Sequence, residues 1–430
     1  MATGITLNNW NGEVDIISSE LFSNSIEYQL AYEGKSSRDD ILNDEIKSSY
    51  EIISSCDSSN LLFFGDNFDV LKYLIKLGYR NKVKLIYIDP PYATNSLFMS
   101  KHQKHSYKDD LVGSHFIEFL RKRLILLREI LSDDGSIYLH LDNNMMFEAK
   151  IIMDEVFGKN NFRGLITRKK CSNKNSTKRT YGNISDYILF YSKSNNFIWH
   201  RPVSSWTDEK IIKEYPCIES DGRRYKKVPI HAPGIRNGET GKEWRGKLPP
   251  IGKHWQYTPQ KLDELDRKGE IYWSSSGNPR RKVYFDNDKG IAVQDIWLDV
   301  QDSLNQNIKT TGYPTEKNPN LLERIIKSCT NPDDIVLDCF AGSGTTCGIS
   351  EKLGRKWIGV DNSSEAIFSI TKRLFGKLEL HGDYVSRLDV FNGLLGQSQL
   401  FGTEIPFSLY TDVNYRKEII DKVKDIIPML

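Results

Sequence analysis

The chain has 430 residues, of which 39% are hydrophobic and 27% are charged, and its formal net charge is +2. This length exceeds that of a usual single domain, so we expect one catalytic core of about 200 to 250 residues with insertions or appendages. No long apolar run and no leader-like pattern occurs, which argues against a membrane protein and favours a cytoplasmic one. The six dispersed cysteines form no CxxC pair, so neither a disulfide framework nor a metal site is expected.

Charge is distributed unevenly along the chain. Residues 1–60 carry eleven Asp and Glu against three Lys and Arg, whereas residues 163–312 carry 28 Lys and Arg against 17 Asp and Glu. Six of the eight tryptophans also lie in the basic segment. Basic charge combined with aromatic side chains indicates a polyanionic partner that has stackable bases.

The first half of the chain alternates between short apolar runs and helix-like segments. The pattern predicts strands at 61–64, 84–88, 136–141 and 187–191, helices at 68–78, 115–131 and 145–157, and a turn at 132–135. Regular alternation then stops for about 120 residues. It resumes with a helix at 320–329, a strand at 334–340, a helix at 345–354 and a strand at 356–361, and a last amphipathic helix is predicted at 415–427.

Strands that alternate with helices predict a doubly wound, mostly parallel α/β sheet. The expected organisation has an acidic extension and a C-terminal appendage, with two halves of one core separated by an inserted region. The corresponding boundaries are 1–60, 61–192, 193–312, 313–375 and 376–430.

A glycine-rich turn joins one predicted strand to the next helix. It runs DCFAGSGTT and contains Asp338, Phe340, Ala341, Gly342, Ser343, Gly344 and Thr345. Glycines there allow a ligand to approach the backbone, and Asp361 ends the next strand, where a carboxylate accepts the two hydroxyls of an adenosine ribose. The third glycine of a pyrophosphate fingerprint is missing, which favours a nucleoside cofactor without a diphosphate. Alternatively, the turn merely packs a helix on the sheet.

A second motif, Asp89-Pro90-Pro91-Tyr92, directly follows the strand KLIYI. The exocyclic amino group of adenine or cytosine is a poor nucleophile, because its lone pair is delocalised into the ring. The Asp89 carboxylate and the Pro90 carbonyl can accept its two hydrogens and direct the lone pair at a methyl donor, while the prolines stiffen the loop. Tyr92 can stack on a base that has been flipped out of a duplex. The alternative is a Pro-Pro strand end with a turn-capping aspartate.

The two motifs together resemble the DNA amino-methyltransferases. DPPY precedes FAGSG with the basic region between them, which is similar to the beta class of this family. The resemblance covers roughly residues 60 to 375. It implies a Rossmann-like fold, S-adenosylmethionine as the cofactor and a homodimeric assembly. YPTEKN at 313–318 resembles the family's YPTQKP element, which makes Thr315 and Lys317 candidates for contacting the methionine end of the cofactor. LLFFGDN similarly makes Asp66 a cofactor residue.

The resemblance favours a site-specific adenine-N6 enzyme that acts on double-stranded DNA. LSDDGSIYLHLDNN is similar to a segment of type III modification subunits, but the chain is shorter than most of those, so a stand-alone type II-like enzyme is expected. Its restriction endonuclease partner would be encoded separately. N4-cytosine methylation, a catalytically idle DNA-binding or specificity subunit and an RNA-directed enzyme stay open as alternatives.

Three basic clusters are candidates for DNA contacts. A run of seven basic residues with no acidic one spans 163–179, and two further clusters follow near 223 and 280. Beside a methyltransferase core, phosphate binding is favoured over a merely solvated loop. The candidates are Arg168, Lys169, Lys170, Lys178, Arg179, Arg223, Arg224, Arg280 and Arg281. The tryptophans of this region are expected to form its own small core.

Overall fold

The structure, a computed structural model, describes residues 29–55, 59–91, 113–171, 179–302, 309–310, 316–375, 379–380 and 407–427. Strands in these ranges are β1 (Tyr50–Ser54), β2 (Leu61–Phe64), β3 (Val83–Ile88), β4 (Leu131–Leu141), β5 (Phe162–Lys169), β6 (Ser185–Ser192), β7 (Val203–Ser204), β8 (Cys217–Ile218), β9 (Arg224–Pro229), β10 (His231–Pro233), β11 (Lys253–Trp255), β12 (Ile271–Trp273), β13 (Pro279–Tyr284), β14 (Ile291–Ala292), β15 (Ile296–Trp297), β16 (Lys309–Thr310), β17 (Ile335–Asp338), β18 (Lys356–Asp361), β19 (Glu379–Leu380) and β20 (Ser408–Asp412). Helices in these ranges are α1 (Arg38–Asn43), α2 (Asn67–Lys76), α3 (Ser114–Ile130), α4 (Met146–Phe157), α5 (Asp208–Glu214), α6 (Pro259–Arg267), α7 (Pro319–Cys329), α8 (Thr345–Lys352), α9 (Ser364–Leu374) and α10 (Arg416–Val423).

A ten-stranded sheet forms the larger of two compact units, which comprises the chain up to residue 200 and from residue 294 on. Its strand order is β1-β20-β2-β18-β17-β3-β4-β6-β5-β15. The six strands from β20 to β4 all run parallel, and the antiparallel pairs lie at β1–β20 and around β6. The predicted doubly wound, mostly parallel sheet is therefore confirmed.

Both faces of the sheet are covered by helices. Along β2, Leu61 and Phe63 belong to the hydrophobic core that contains α2, α3 and α4, whereas Leu62 and Phe64 belong to the core that contains α9 and α10. Because successive side chains of a strand point to opposite faces, these two cores lie on opposite sides of the sheet. A strand that is buried on both faces reads as a continuous apolar run, as LLFF does.

Two segments differ from the prediction. Residues 132–135 are part of β4 and not a separate turn, since β4 starts at Leu131, opposite Val83, and returns to register at Ser136 after an irregularity. In addition, β1 and β20 join the central sheet, with β20 parallel to β2. Both are short strands that pair with segments distant in the chain, and no local periodicity in the sequence predicts them.

Residues 201–293 form the second compact unit. Its main sheet has the order β12-β13-β9-β8, and its core includes Trp244, Trp255, Leu262 and Ile271. Trp244 and Trp255 therefore have the expected structural role, whereas Trp199 lies outside this unit and is 46% exposed. Among the described residues of the whole chain, no helix combines the length and apolar character needed to span a bilayer.

Candidate functional site

The two predicted motifs meet at one edge of the central sheet. Strands β3 and β17 are parallel neighbours, with Leu337 opposite Ile86. Asp89 and Pro90 directly follow β3, while Asp338 is the last residue of β17. In open α/β sheets, ligands bind at the carboxyl ends of the strands. The strand order thus brings residues that are far apart in the chain to a position suited to one ligand site.

Asp338 organises the glycine-rich turn that follows it. Its Oδ1 accepts a hydrogen bond from the backbone N–H of Phe340 at 3.0 Å, and its Oδ2 accepts a hydrogen bond from the hydroxyl group of Thr346 at 2.6 Å. Burial raises the pKa of Asp338 to about 7, and the charges of Asp89 and Asp361 act in the same direction. Both carboxyl oxygens are thus bonded within the loop and the first turn of α8.

Asp361, at the end of β18, faces the same turn. Its Oδ2 accepts the backbone N–H of Gly342 at 2.8 Å, and its Oδ1 accepts that of Ser363 at 2.9 Å. Burial raises the pKa of Asp361 to about 6, although these backbone hydrogen bonds lower it. The backbone N–H of Asn362 also bonds to this carboxylate, so three backbone donors fix its orientation.

Gly344 allows the turn to close tightly before α8. It has a φ of +73°, which is in the left-handed region, and its N–H donates to the carbonyl of Ala341 at 2.7 Å. A Cβ at this position would lie 2.6 Å from Cγ1 of Ile370. Ser343 and Thr345 follow the same tight path, with their hydroxyls 3.0 Å apart. The position therefore requires glycine for both backbone and steric reasons.

Asp66 caps α2 and lies above the end of β2. Its Oδ1 accepts the N–H of Phe68 at 2.8 Å, and the Arg123 guanidinium lies 3.4 Å from its Oδ2. Arg123 also donates to the side chain of Asn67, whose Nδ2 donates to the carbonyl of Cys339 at 2.7 Å. This network connects the end of β2 to the glycine-rich turn after β17.

Arg123 and Asn67 were not among the predicted site residues. Arg123 is buried on α3, three residues after Leu120 and four before Leu127, and its guanidinium carbon lies 3.5 Å from the centroid of the Phe119 ring. An arginine on the buried face of an amphipathic helix needs a polar partner. That spacing was the available sequence signal for a connection to the site.

Lys317 contacts the first motif. Its Nζ lies 2.8 Å from Oδ2 of Asp89. The preceding residue, Glu316, is paired with Arg373, which also donates to the carbonyl of Ser343 at 2.9 Å. Thus the 316–317 segment is connected to both motifs. Two further predicted residues of this region, Tyr92 and Thr315, lie outside the described residues.

Arg168 corrects the prediction for the basic run. Its side chain is 0% exposed, and its guanidinium donates to Asp186 at 3.1 Å, to the Val300 carbonyl at 2.7 Å and to Asp302. Although burial raises the pKa of Asp186, the charges of His140 and Arg168 outweigh it and lower that pKa to about 2. Burial removes Arg168 from the surface that a duplex can reach. Lys169 and Lys170 are half-buried, Arg179 is exposed, and Lys178 lies outside the described residues.

The other two basic clusters come together in the second unit. Strands β9 and β13 are antiparallel neighbours, so Lys282 lies opposite Lys227 and Arg280 lies opposite Pro229. Arg223 and Arg280 are exposed, whereas Arg224 and Arg281 are half-buried. The Lys227 ammonium lies 3.5 Å from the centroid of the Tyr272 ring. Clusters that are more than 50 residues apart in the sequence thereby form one basic, tyrosine-containing sheet.

Comparison with known proteins agrees with this geometry. A family model described as DNA methylase matches residues 83–372. The chain is 49% identical to the type II methyltransferase M.EcaI of Enterobacter cloacae over 81% of this chain and 75% of that protein. It is 28% identical to the type II methyltransferase M.KpnI of Klebsiella pneumoniae, over 70% of this chain and 78% of that protein.

A longer relative is similar as well. The chain is 30% identical to the StyLTI Mod subunit, part of a type III restriction-modification enzyme of Salmonella typhimurium, over 67% of this chain and 49% of that subunit. It therefore spans about half the length of this relative. The family model covers well over half of the chain and includes both motifs. The chain belongs to the DNA methylase family and is a DNA amino-methyltransferase of the restriction-modification type.

Proposed function

We propose that this protein transfers a methyl group from S-adenosylmethionine to N6 of adenine at a specific site in duplex DNA. The observation that carries the proposal is the adjacency of β3 and β17, which places Asp89 and Pro90 at the same sheet edge as the glycine-rich turn. Asp89 and Pro90 bind the target amino group, and the glycine-rich turn binds the methyl donor. The aspartate in the first motif favours adenine, with N4 of cytosine as the alternative.

Asp89 and Pro90 are the groups that activate the target. The Asp89 carboxylate accepts a hydrogen bond from one N–H of the amino group, and the Pro90 carbonyl accepts a hydrogen bond from the other. The nitrogen lone pair is thereby freed from the ring and faces the methyl donor. Pro91 restricts the backbone after the carbonyl and holds the acceptors in place. Tyr92 stacks on the flipped base. After transfer, the methylated nitrogen loses its extra proton to water.

The turn after β17 suits a nucleoside cofactor. Asp361, whose oxygens Gly342 and Ser363 orient, is the proposed acceptor for the ribose hydroxyls. The residues from Phe340 to Thr345 form the rest of this face, and Asp66 lies at the neighbouring strand end. When bound, S-adenosylmethionine supplies a methyl group on a positively charged sulfur, which keeps the bonding electrons and leaves as a neutral thioether.

The basic sheet of the second unit is the proposed DNA contact surface. Arg280 and Lys282 alternate along β13 and therefore share one face with Lys227 of β9 and with Tyr272. Basic side chains bind phosphates, and tyrosines supply contacts to sugars or bases. Arg224 and Arg281 lie on the opposite face of the two strands, and Arg223 directly precedes β9. We further propose that the enzyme is a homodimer whose restriction endonuclease is a separate protein.

The test is to incubate the protein with duplex DNA and isotope-labelled S-adenosylmethionine, and to identify labelled nucleosides by mass spectrometry. Labelled N6-methyladenine is expected. Labelled N4-methylcytosine would show that the target base is cytosine and not adenine. Asp89→Ala should abolish the label, while Asp133→Ala, at a side chain that is 81% exposed, should not. Label on RNA alone, or full activity of Asp89→Ala, would overturn the proposal.

A further inference from the structure

The ion pair between Lys317 and Asp89 is a feature that the cofactor role expected for Lys317 does not explain. The two charged atoms are 2.8 Å apart, and both side chains are mostly buried, with 13% and 19% exposed. At this burial an ion pair is screened far less than at the surface. It is therefore able to fix the orientation of the carboxylate.

The backbone around Lys317 is held from several sides. Asn318 is fully buried, caps α7 by accepting the N–H of Asn320 at 2.9 Å, and donates its Nδ2 to the Gln301 carbonyl at 2.6 Å. On the other side, Glu316 is paired with Arg373. The Thr345 hydroxyl reaches the Lys317 carbonyl at 3.5 Å. Lys317 therefore extends from a fixed point of the chain toward Asp89.

The surroundings of this pair are rich in negative charge. Burial is the largest cause of the raised pKa of Asp338, and the charge of Asp89 raises this pKa further. The Lys317 charge is among those that lower the pKa of the buried Asp186, against the effect of burial. Lys317 thus lies within electrostatic reach of two carboxyl groups. Loss of its ammonium would leave Asp89 near buried acidic groups without this compensating charge.

We propose that Lys317 is a positioning residue for Asp89 and not a contact to the methionine end of the cofactor. Its ammonium holds Oδ2 of Asp89, and Oδ1 then accepts the amino hydrogen of the target base. This inference rests on the proposed function, because it assigns to Asp89 the task of accepting that hydrogen. Lys317 speeds methyl transfer by keeping the acceptor in place before the base arrives, which is the electrostatic preorganisation common in enzymes.

Substitutions of Lys317 separate the two roles. Lys317→Met should slow single-turnover methylation at saturating S-adenosylmethionine by about 100-fold, a size typical for the loss of one preorganised charged group. The dissociation constant for S-adenosylmethionine should stay within about threefold, since positioning of Asp89 does not contact the cofactor. Lys317→Arg keeps the positive charge and should recover about tenfold of the lost rate.

Lys327→Met is the matched control, because Lys327 lies on α7 with a side chain that is 56% exposed and pairs with Glu323. It should change neither quantity, and thermal unfolding should show that all variants are folded. A tenfold or greater loss of cofactor affinity in Lys317→Met, with the rate at saturation preserved, would overturn the proposal and assign Lys317 to the cofactor.

A second measurement does not depend on turnover. Lysines labelled by reductive ¹³C-methylation keep their charge, and the Lys317 signal in an NMR spectrum is identified by its loss in Lys317→Arg. Asp89→Asn should shift this signal, whereas Asp133→Asn should not. An unshifted signal would overturn the proposal. If the wild-type protein methylated no base, the proposed function would fail, while this spectrum would still decide whether Asp89 holds Lys317.

Discussion

Gly342 donates its backbone N–H to Oδ2 of Asp361 at 2.8 Å, and this bond joins the turn after β17 to the carboxylate that ends β18. The other oxygen of Asp361 is held by the N–H of Ser363. The carboxylate therefore has a fixed orientation before any ligand binds. Its pKa is nevertheless raised to about 6, because the cost of burying the charge exceeds the stabilisation from the backbone bonds.

Cofactor affinity should consequently depend on pH. The ionised carboxylate is the form that accepts both ribose hydroxyls, and a pKa of about 6 means that the protonated form predominates below this pH. We expect the dissociation constant for S-adenosylmethionine to be constant above about pH 7 and to rise about tenfold per pH unit below about pH 5.5. Equilibrium dialysis between pH 5 and pH 8 measures this dependence.

The Asp361→Asn variant is the control for this dependence. It should bind S-adenosylmethionine weakly at every pH, because the amide does not ionise and its affinity for the cofactor no longer depends on pH. It should still bind DNA. An affinity of the wild-type protein that does not change between pH 5 and pH 8 would show that Asp361 does not bind the ribose as a carboxylate.

Replacement of Gly344 should reduce stability more than replacement of another glycine with a similar backbone. Gly344 and Gly354 have φ angles of +73° and +68°. A Cβ at Gly344 would overlap Ile370 at 2.6 Å, but one at Gly354 would meet nothing within 4 Å. Gly354→Ala should cost about 1 kcal/mol from backbone strain, and Gly344→Ala should cost about 1 to 3 kcal/mol more from overpacking.

Urea unfolding measures both changes, and cofactor binding reports on the turn itself. Gly344→Ala should weaken S-adenosylmethionine binding, whereas Gly354→Ala should not. Equal losses of stability in the two variants would show that the turn relaxes away from Ile370 at no cost.

Much of the larger unit could be predicted because its signals are local. The apolar runs that became β2, β3 and β18 each end at or just before an aspartate, and the carboxyl ends of parallel strands lie at one sheet edge. Asp89 and Asp361 could therefore be assigned to the site from their positions at strand ends, whereas Asp66 was assigned through the family resemblance. The adjacency of β3 and β17 was not predicted, because it joins segments more than 240 residues apart and no local pattern indicates it.

The parts that were missed depend on contacts between distant segments. Strand β20 is short, and it is a strand because it pairs with β2, which precedes it by more than 340 residues. Arg168 was taken for a surface cation because its neighbours in the sequence are basic. In the structure, its partners are Asp186 and the 300–302 segment, which no periodicity in the basic run indicates.

Arg168→Met should act on stability and not specifically on DNA affinity. Removal of one partner from a buried ion pair leaves the charge of Asp186 insufficiently compensated, and such losses cost about 3 to 5 kcal/mol. Lys169→Met, at the adjacent half-buried lysine, should change stability by less than about 1 kcal/mol. Urea unfolding gives the comparison. A weakened affinity for DNA at low salt with unchanged stability in Arg168→Met would contradict the buried role.

Asp338 should make the protein less stable as pH rises. Its pKa is about 7 in the folded protein and 3.8 for an ordinary aspartate, so the folded state retains a proton that the unfolded chain has lost between these values. The free energy of unfolding should therefore fall from about pH 4 to about pH 7, by up to about 1.4 kcal/mol per pH unit from this group. Asp338→Asn cannot ionise and removes this contribution.

Because Asp361 contributes a dependence of the same sign, the comparison must be made between wild type and Asp338→Asn at each pH. Between pH 5 and pH 7.5 the difference in unfolding free energy should move in favour of the variant by about 2 to 3 kcal/mol. Asp133→Asn, at an exposed side chain, should show no such change. If wild type and Asp338→Asn lost stability in parallel over this range, Asp338 would already be ionised in the folded protein at pH 5, and its two hydrogen bonds from Phe340 and Thr346 would outweigh its burial.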